Sequence, residues 1–443
     1  MKRFILVAFL ACCCLGLSAA PPARATDNPD WVKELKNLAE KVDSQRRLLE
    51  RQAAEIEALK AKLAAPPPLA AQPAPGKAAA GGDKKPALAK RFNMSTDLRL
   101  RHEGLYDRKQ SGAGLEDRDR FRMRWRVFGD YRVNDELSMH SMLTTSSGSW
   151  LDSGGNSRNW QPGRTSNQTF DDEFNNKGLY IGRIYAQYQP KRLPGLELGA
   201  GKFKNSFLHT DIMWDPDVNP EGAYERYQYK GWKNFQPFVH LGQMVVAENN
   251  KADDAYLLVW QAGAVVKTGG LKWTLAGSYY HWVNPEKSDL SKIEGSAAGN
   301  SVDKNGQYLY DYRLVEGLAF LEFRLAKLPV KLWLDWIMNT ADGLPGGRDT
   351  AFSTGFVLGK AAKKHDWDFM FKYAEIEPDA VVGAVNDGDF YGTNRRGYKA
   401  QLRYRVLDPC LIAVSWFQTE SMVGGETSEN RLQTDFILDF SLF

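Results

Sequence analysis

The sequence predicts an all-β transmembrane protein: an outer-membrane barrel of about sixteen antiparallel strands, preceded by an N-terminal α-helical coiled coil. Three observations lead to this prediction: apolar and charged residues alternate with a period of two, long and short connections alternate, and a heptad pattern precedes the strands. Residues 119–133 illustrate the alternation, since Phe121, Met123 and Trp125 share one parity. The opposite parity carries a ladder of arginines: Arg120, Arg122, Arg124 and Arg126. Strand side chains alternate between faces, so such a segment can separate lipid from water.

Residues 1–25 have the composition of a secretory signal peptide. Lys2 and Arg3 precede a long apolar run, and Ala23-Arg24-Ala25 gives a small-x-small cleavage pattern. Lipoprotein cleavage before Cys12 is the alternative. Signal cleavage would remove three basic residues and lower the formal charge from +4 by three, to +1, so the basic pI gives no argument for nucleic-acid binding.

Residues 26–64 change to the apolar period of a helix. The spacing of three and four residues is that of a coiled-coil seam, formed here by Leu35, Leu38, Val42, Leu49, Ile56, Leu59 and Leu63. One chain cannot bury such a seam alone, so we expect oligomerisation or docking on a periplasmic partner. A lone amphipathic helix lying on another surface is the alternative. Residues 65–90 are rich in Pro, Ala and Gly without periodicity and are predicted to be a linker.

Residues 91–443 alternate with a period of two and are predicted to form the barrel. We expect strands at 92–104, 120–133, 136–147, 179–189, 196–206, 223–231, 235–247, 255–267, 271–283, 313–325, 330–340, 351–359, 367–376, 397–406, 411–419 and 431–443. Odd connections are mostly long and even ones short, as in outer-membrane barrels with long extracellular loops and short periplasmic turns. No run of eighteen apolar residues follows the signal, which argues against helical spans. A closed sheet then satisfies the backbone in hydrocarbon.

One stretch within this region resembles a known family. Residues 201–227, GKFKNSFLHTDIMWDPDVNPEGAYERY, are similar to the equivalent stretch of the Putative porin family of Gram-negative outer membranes. That family is similar to phosphate-selective and general porins. The resemblance covers roughly residues 92–443 and implies a homotrimeric diffusion channel in outer-membrane lipid.

The polar parity of the strands is expected to face water inside the barrel. Basic side chains outnumber acidic ones there by about two to one, and basic rings favour anions in a pore. We therefore expect passive diffusion of small hydrophilic solutes, leaning to anions. The residues expected to line the pore are Arg99, Arg101, Arg120, Arg122, Arg124, Arg126, Arg403 and Arg405.

The loop after the fifth strand, residues 207–222, is expected to fold inward and to form a constriction. Its expected constriction residues are Asp211, Trp214, Asp215, Asp217 and Glu221. This acidic loop would face the arginine ladder, and the resulting transverse field would order small polar solutes. The alternative is that the arginines mainly pair with Asp97, Asp130 and the loop acids and hold the wall rigid.

No catalytic, metal or cofactor site is expected. The six histidines show no HExxH spacing, and no Gly-x-Ser-x-Gly turn accompanies them. The Asp-x-Asp-x-Asn sequence at 215–219 has Pro220 where a calcium loop needs glycine. A second function class stays open, in which the barrel is an anchor and the coiled coil tethers the outer membrane to the cell wall or to a periplasmic partner.

Overall fold

The computed structural model describes residues 91–442, except 111–112, 147, 153–157, 163, 171–173, 175, 251, 289–296, 391 and 426. The predicted signal peptide, coiled-coil seam and linker lie outside the described residues, so these three calls stay predictions. Within the described part of the chain, no helix is long and apolar enough to cross a membrane.

In the described residues, sixteen long strands form one antiparallel sheet. They are β1 Phe92–Gln110, β2 Arg118–Arg132, β3 Leu137–Thr144, β4 Tyr180–Tyr188, β5 Leu196–Lys202, β6 Glu221–Gln228, β7 Phe235–Ala247, β8 Ala255–Thr268, β9 Leu271–Val283, β10 Arg313–Leu325, β11 Leu328–Asn339, β12 Thr350–Gly359, β13 Trp367–Ile376, β14 Arg395–Leu407, β15 Cys410–Ser421 and β16 Ser428–Ser441. Each strand pairs with its neighbours in the chain, so every connection joins adjacent strands.

The sheet closes because β1 pairs with both β2 and β16. On one side Leu98 lies opposite Trp125, and on the other it lies opposite Leu438. This closure leaves no free sheet edge, which a chain in hydrocarbon requires. The predicted closed antiparallel barrel of sixteen strands is thereby confirmed.

Short elements lie in the long connections. Two-residue strands are Ala113–Gly114 and Gln168–Thr169, and a small separate hairpin joins Gly148–Asp152 to Arg158–Pro162. Among the residues that the structure describes, single-turn 3-10 helices span Pro285–Lys287, Ala297–Gly299 and Gly388–Phe390. None of these elements interrupts the barrel wall.

The two faces of the strands have different environments, as the alternation requires. On β2, Phe121 is 61% exposed on the outer face, whereas the next residue, Arg122, is only 8% exposed on the inner face. On β16, Phe436 and Phe440 are exposed on the outer face, whereas Asp435 is buried on the inner face. The outer face is therefore apolar and the inner face charged, as expected for a wall between lipid and an aqueous interior.

Among the described residues, two of the loops that reach the barrel interior pack against each other. The first inner loop, residues 203–220, joins β5 to β6, and the second inner loop, residues 377–394, joins β13 to β14. Their apolar side chains share one buried cluster with inward residues of the wall, among them Phe203, Ile212, Met213, Trp214, Val381, Val382, Val385, Phe390, Ile337 and Phe417. The amide of Asp215 donates to the carbonyl of Val385 at 2.7 Å, and the amide of Asp387 donates to that of Asp211 at 3.0 Å. The two loops thus form one packed unit that fills part of the interior.

Candidate functional site

The first inner loop is held to the wall by side chains from three separate strands. The Leu208 amide donates to Oε1 of Gln261 on β8 at 2.9 Å, and the Thr210 hydroxyl donates to Asp335 on β11. Lys372 on β13 reaches Asp211 with Nζ at 2.8 Å from Oδ2. The Lys372 side chain is only 2% exposed, so this ion pair is a buried anchor of the loop.

Beyond this anchor, the first inner loop turns two acidic side chains toward the arginine ladder. Asp217 lies 3.6 Å from Nη1 of Arg126 and 4.0 Å from Nη1 of Arg124. Asp215 has no cationic side chain within ion-pair distance among the described residues, and its Oδ1 accepts a hydrogen bond from the Asp217 amide at 2.7 Å. Burial, together with the negative charges of Asp387 and Asp217, raises the pKa of Asp215 to about 8.

The second inner loop adds two more carboxylates. Asp389 accepts hydrogen bonds from Nη1 of Arg101 at 3.1 Å and from Nη1 of Arg431 at 2.9 Å. Burial works to raise the pKa of Asp389, but these two guanidinium groups outweigh it and hold the pKa well below its usual range. Asp387 lies 3.9 Å from Nζ of Lys399, yet its burial still raises its pKa.

The arginine ladder has an unusual register. Across β1 and β2, Arg99 lies opposite Arg124 and Arg101 lies opposite Arg122. Like charges that face each other directly across a strand pair are destabilising. Two such pairs in succession therefore need acidic neighbours or a bound anion to offset their repulsion.

Acidic wall residues neutralise most of the ladder. Asp97 accepts from Nε of Arg126 at 2.7 Å and from Arg124 at 3.3 Å, and Glu103 accepts from Nε of Arg120 at 2.6 Å. Asp435 of β16 binds Arg101 through two hydrogen bonds, of 2.7 and 2.9 Å. Such bidentate, charge-assisted pairs fix the direction of the guanidinium plane.

Arg99 and Arg122 are the least neutralised members. Arg99 donates to the side-chain amide oxygen of Asn167 and lies 4.0 Å from Asp435. Nε of Arg122 is buried without a hydrogen-bond partner, and the nearest carboxylate oxygen in the described residues is Oε2 of Glu103, at 3.8 Å. That oxygen already accepts a hydrogen bond from Nε2 of Gln433 at 2.8 Å.

The ladder and the acidic residues of both loops line one cavity of about 650 Å³. Of the residues predicted to line the pore, Arg99, Arg101, Arg120, Arg122, Arg124 and Arg403 line this cavity. Of the predicted constriction acids, Asp211, Asp215 and Asp217 line it. Arg403 is held by a bidentate pair with Asp368, at 2.7 and 2.8 Å. Arg126 does not line the cavity, but it pairs with Asp217, which does, and with Asp97.

Three further predicted site residues, Glu221, Trp214 and Arg405, do not line this cavity. Glu221 is the first residue of β6 rather than part of the loop, and it pairs with Lys202 at 2.6 Å, away from the ladder. Trp214 is buried in the apolar cluster, where its indole N–H donates to the Val218 carbonyl. Arg405 does not line the cavity and forms a bidentate pair with Asp439 instead. Asp130, which the alternative interpretation pairs with an arginine, lies 2.6 Å from Nδ1 of His140.

The acidic part of the second inner loop was not predicted from the sequence. The sequence carries a signal that could have indicated it, because residues 380–385, AVVGAV, form an apolar run within a long connection. Such a run must be buried to be stable, and in a barrel loop the interior can bury it. The Asp387-Gly388-Asp389 sequence that follows is thereby carried to the ladder.

Metal ligation finds no support in the described residues, where no group of three or more His, Cys, Asp or Glu side chains is arranged around a common point. Fixed charges of both signs line the cavity.

Comparisons with known proteins identify similar chains. A family model described as Putative porin matches residues 112–313 and 310–440. No curated protein matches the chain. Among solved structures, the high-pH structure of OprB from Pseudomonas putida has 12% identity and a TM-score of 0.49, covering 80% of this chain and 95% of its own. OmpF from Salmonella typhi, in complex with daunomycin, has 8% identity and a TM-score of 0.47, covering 79% and 97%. OmpT from Vibrio cholerae, in its trimer form, has 10% identity and a TM-score of 0.44, covering 79% and 99%.

Proposed function

The chain belongs to the Putative porin family, and from this membership we propose that it is an outer-membrane porin for passive diffusion of small hydrophilic solutes. The observation that carries the proposal is the charged cavity of about 650 Å³ between the inner loops and the arginine ladder of a closed barrel. The loops fill part of the interior with apolar side chains, so solutes would pass along the charged side. No catalytic role and no cofactor are part of the proposal.

We further propose that the channel leans to anions. Nine basic side chains and six acidic ones line the cavity, and this excess supports an anion preference because basic linings favour anions in pores. The high pKa of Asp215 keeps one of the six acids mostly uncharged at neutral pH, which increases the excess. The alternative is that the arginines hold the wall rigid. It is compatible with this anion preference, since Asp97 and Glu103 fix the positions of several arginines.

The anion preference can be tested by measuring the reversal potential of the purified protein in planar bilayers under a salt gradient. Replacing Arg122 and Arg124 by Ser removes two cavity charges, so the reversal potential should move toward cation permeation. A matched double replacement of exposed Arg396 and Arg313, which lie outside the cavity, should leave it unchanged. An unchanged reversal potential in the cavity variant would remove the ladder from the conduction path.

The assembly state is a separate proposal. The predicted seam in residues 26–64 and the family resemblance favour a homotrimer with the coiled coil in the periplasm. Deleting residues 26–90 should reduce the fraction of trimer in native mass spectrometry while single-channel conductance persists. A tether function rests on the same residues, which lie outside the described part, so the barrel lends it no support.

A further inference from the structure

Two ionisable groups of opposite sign in the cavity are incompletely paired within the protein: Arg122, whose nearest carboxylate oxygen is 3.8 Å away, and Asp215. On the wall, Arg122 is buried, its Nε has no hydrogen-bond partner, and Glu103 is engaged by other groups. On the first inner loop, Asp215 has no cationic partner in the described residues, although Asp211 is paired with Lys372 and Asp217 with Arg126 and Arg124. Arg101, Arg431 and Lys372 all have closer acidic partners within the protein, so Arg122 and Asp215 are the groups we take as most available to a solute.

The incomplete pairing of Arg122 is costly without a ligand. Its buried Nε donates no hydrogen bond and so loses its hydration without compensation. Arg101 lies directly opposite Arg122 across the strand pair, which adds repulsion between like charges. A solute oxyanion would offset both effects, since a guanidinium binds a carboxylate or a phosphate through two parallel hydrogen bonds.

The unpaired state of Asp215 calls for the opposite charge. Burial raises its pKa, and the negative charges of Asp387 and Asp217 add to this, so that the pKa is about 8. An ammonium group beside it would favour the ionised form and relieve the repulsion. Arg122 and Asp215 line the same cavity of about 650 Å³.

We propose that this cavity is a binding site for zwitterionic solutes of the amino-acid class, with the solute carboxylate on Arg122 and the solute ammonium group on Asp215. The proposal rests on the porin function proposed above and adds the class of solute to it. Arg99 donates to Asn167, and its acidic neighbour Asp435 is 4.0 Å away. Arg99 would therefore contribute a second guanidinium group to binding of the solute carboxylate. A simple anion would use the wall alone, whereas a zwitterion uses both sides of the cavity.

Liposome swelling tests the proposal with two solutes of similar mass, zwitterionic glutamine and uncharged arabinose. The wild-type channel should admit glutamine faster than arabinose, and Arg122→Gln and Asp215→Asn should each lower this ratio by about threefold, the value of one partly solvated ion pair. The double variant should lower the ratio little more than either single variant does. A solute whose contact at one end has been removed gains little from the contact at its other end. Arg396→Gln and Asp342→Asn are matched controls that remove exposed charges far from the cavity and should leave the ratio unchanged.

Folding is checked for each variant by heat-modifiable gel mobility, and Arg122→Lys provides a variant that keeps the charge. Lysine cannot form the planar two-point contact, so its ratio should lie between those of the wild type and Arg122→Gln. If Arg122→Gln lowers the ratio and Asp215→Asn does not, the site takes anions and the zwitterion proposal is overturned. Equal swelling in both solutes for all variants also overturns it while leaving the channel intact. Liposomes that swell in neither solute would overturn the channel itself.

Discussion

Replacing Lys372 by Met tests whether the first inner loop depends on its buried anchor. Lys372 is 2% exposed, pairs with Asp211 at 2.8 Å and places Nζ 4.4 Å from the ring centroid of Phe390, so it contacts both inner loops. The replacement would leave Asp211 without its main partner. Removing one member of a fully buried ion pair costs about 3 to 5 kcal/mol. Because Asp211 is 24% exposed, water can stabilise part of the remaining charge, and we expect about 2 to 3 kcal/mol here.

The assay is equilibrium unfolding in urea with the protein in lipid vesicles, followed by tryptophan fluorescence. Lys372→Met with Asp211→Asn should recover part of the lost stability, because no uncompensated carboxylate remains buried. Lys272→Met is the matched control: its pair with Glu322 has a similar distance, 2.9 Å, but both side chains are 42% exposed. That control should cost less than about 1 kcal/mol. A loss at Lys372 no larger than at Lys272, or no recovery in the double variant, would refute the anchoring argument.

Two further predictions concern the loop charge and the barrel wall. Raising the pH from 6 to 9 should ionise Asp215, whose carboxylate lies near Asp217, Asp387 and Asp389, and the added negative charge should shift the reversal potential toward cation permeation. The Asp215→Asn variant should lose most of this shift. An equal shift in the variant would assign the titration to another group. Gly222→Ala should lower the free energy of unfolding by about 2 kcal/mol or more. Gly222 has φ of +139°, and the Cβ of an alanine at this position would lie 2.0 Å from the carbonyl oxygen of Gln243. Gly317→Ala, which meets nothing within 4 Å, should change little in the same urea titration, and similar midpoints for both variants would contradict the steric argument.

The wall of the barrel could be predicted from the sequence because each strand separates two different environments. A strand with lipid outside and charged groups inside must alternate, so β7 and β9 begin and end at the residues that the alternation indicates. Errors occur where the alternation is weak at strand ends. Glu221, for example, was assigned to the loop because β6 begins two residues earlier than its apolar pattern suggests.

The interior could be predicted only in part because its contacts join residues far apart in the chain. Arg101 and Asp389 form a hydrogen bond across 288 residues, and no local pattern records that proximity. The charge of each ladder residue was evident from the sequence, but its partner was not. Asp97 could be paired with arginines because it lies on the adjacent strand, whereas the role of Asp389 depended on the path of a long loop.

The most direct test of the channel is the reversal potential of the purified wild-type protein in a planar bilayer with a potassium chloride gradient at neutral pH. The excess of basic side chains around the cavity predicts an anion-selective conductance. A cation-selective conductance would mean that the acids of the inner loops control the narrowest section. The absence of conductance would contradict the porin function.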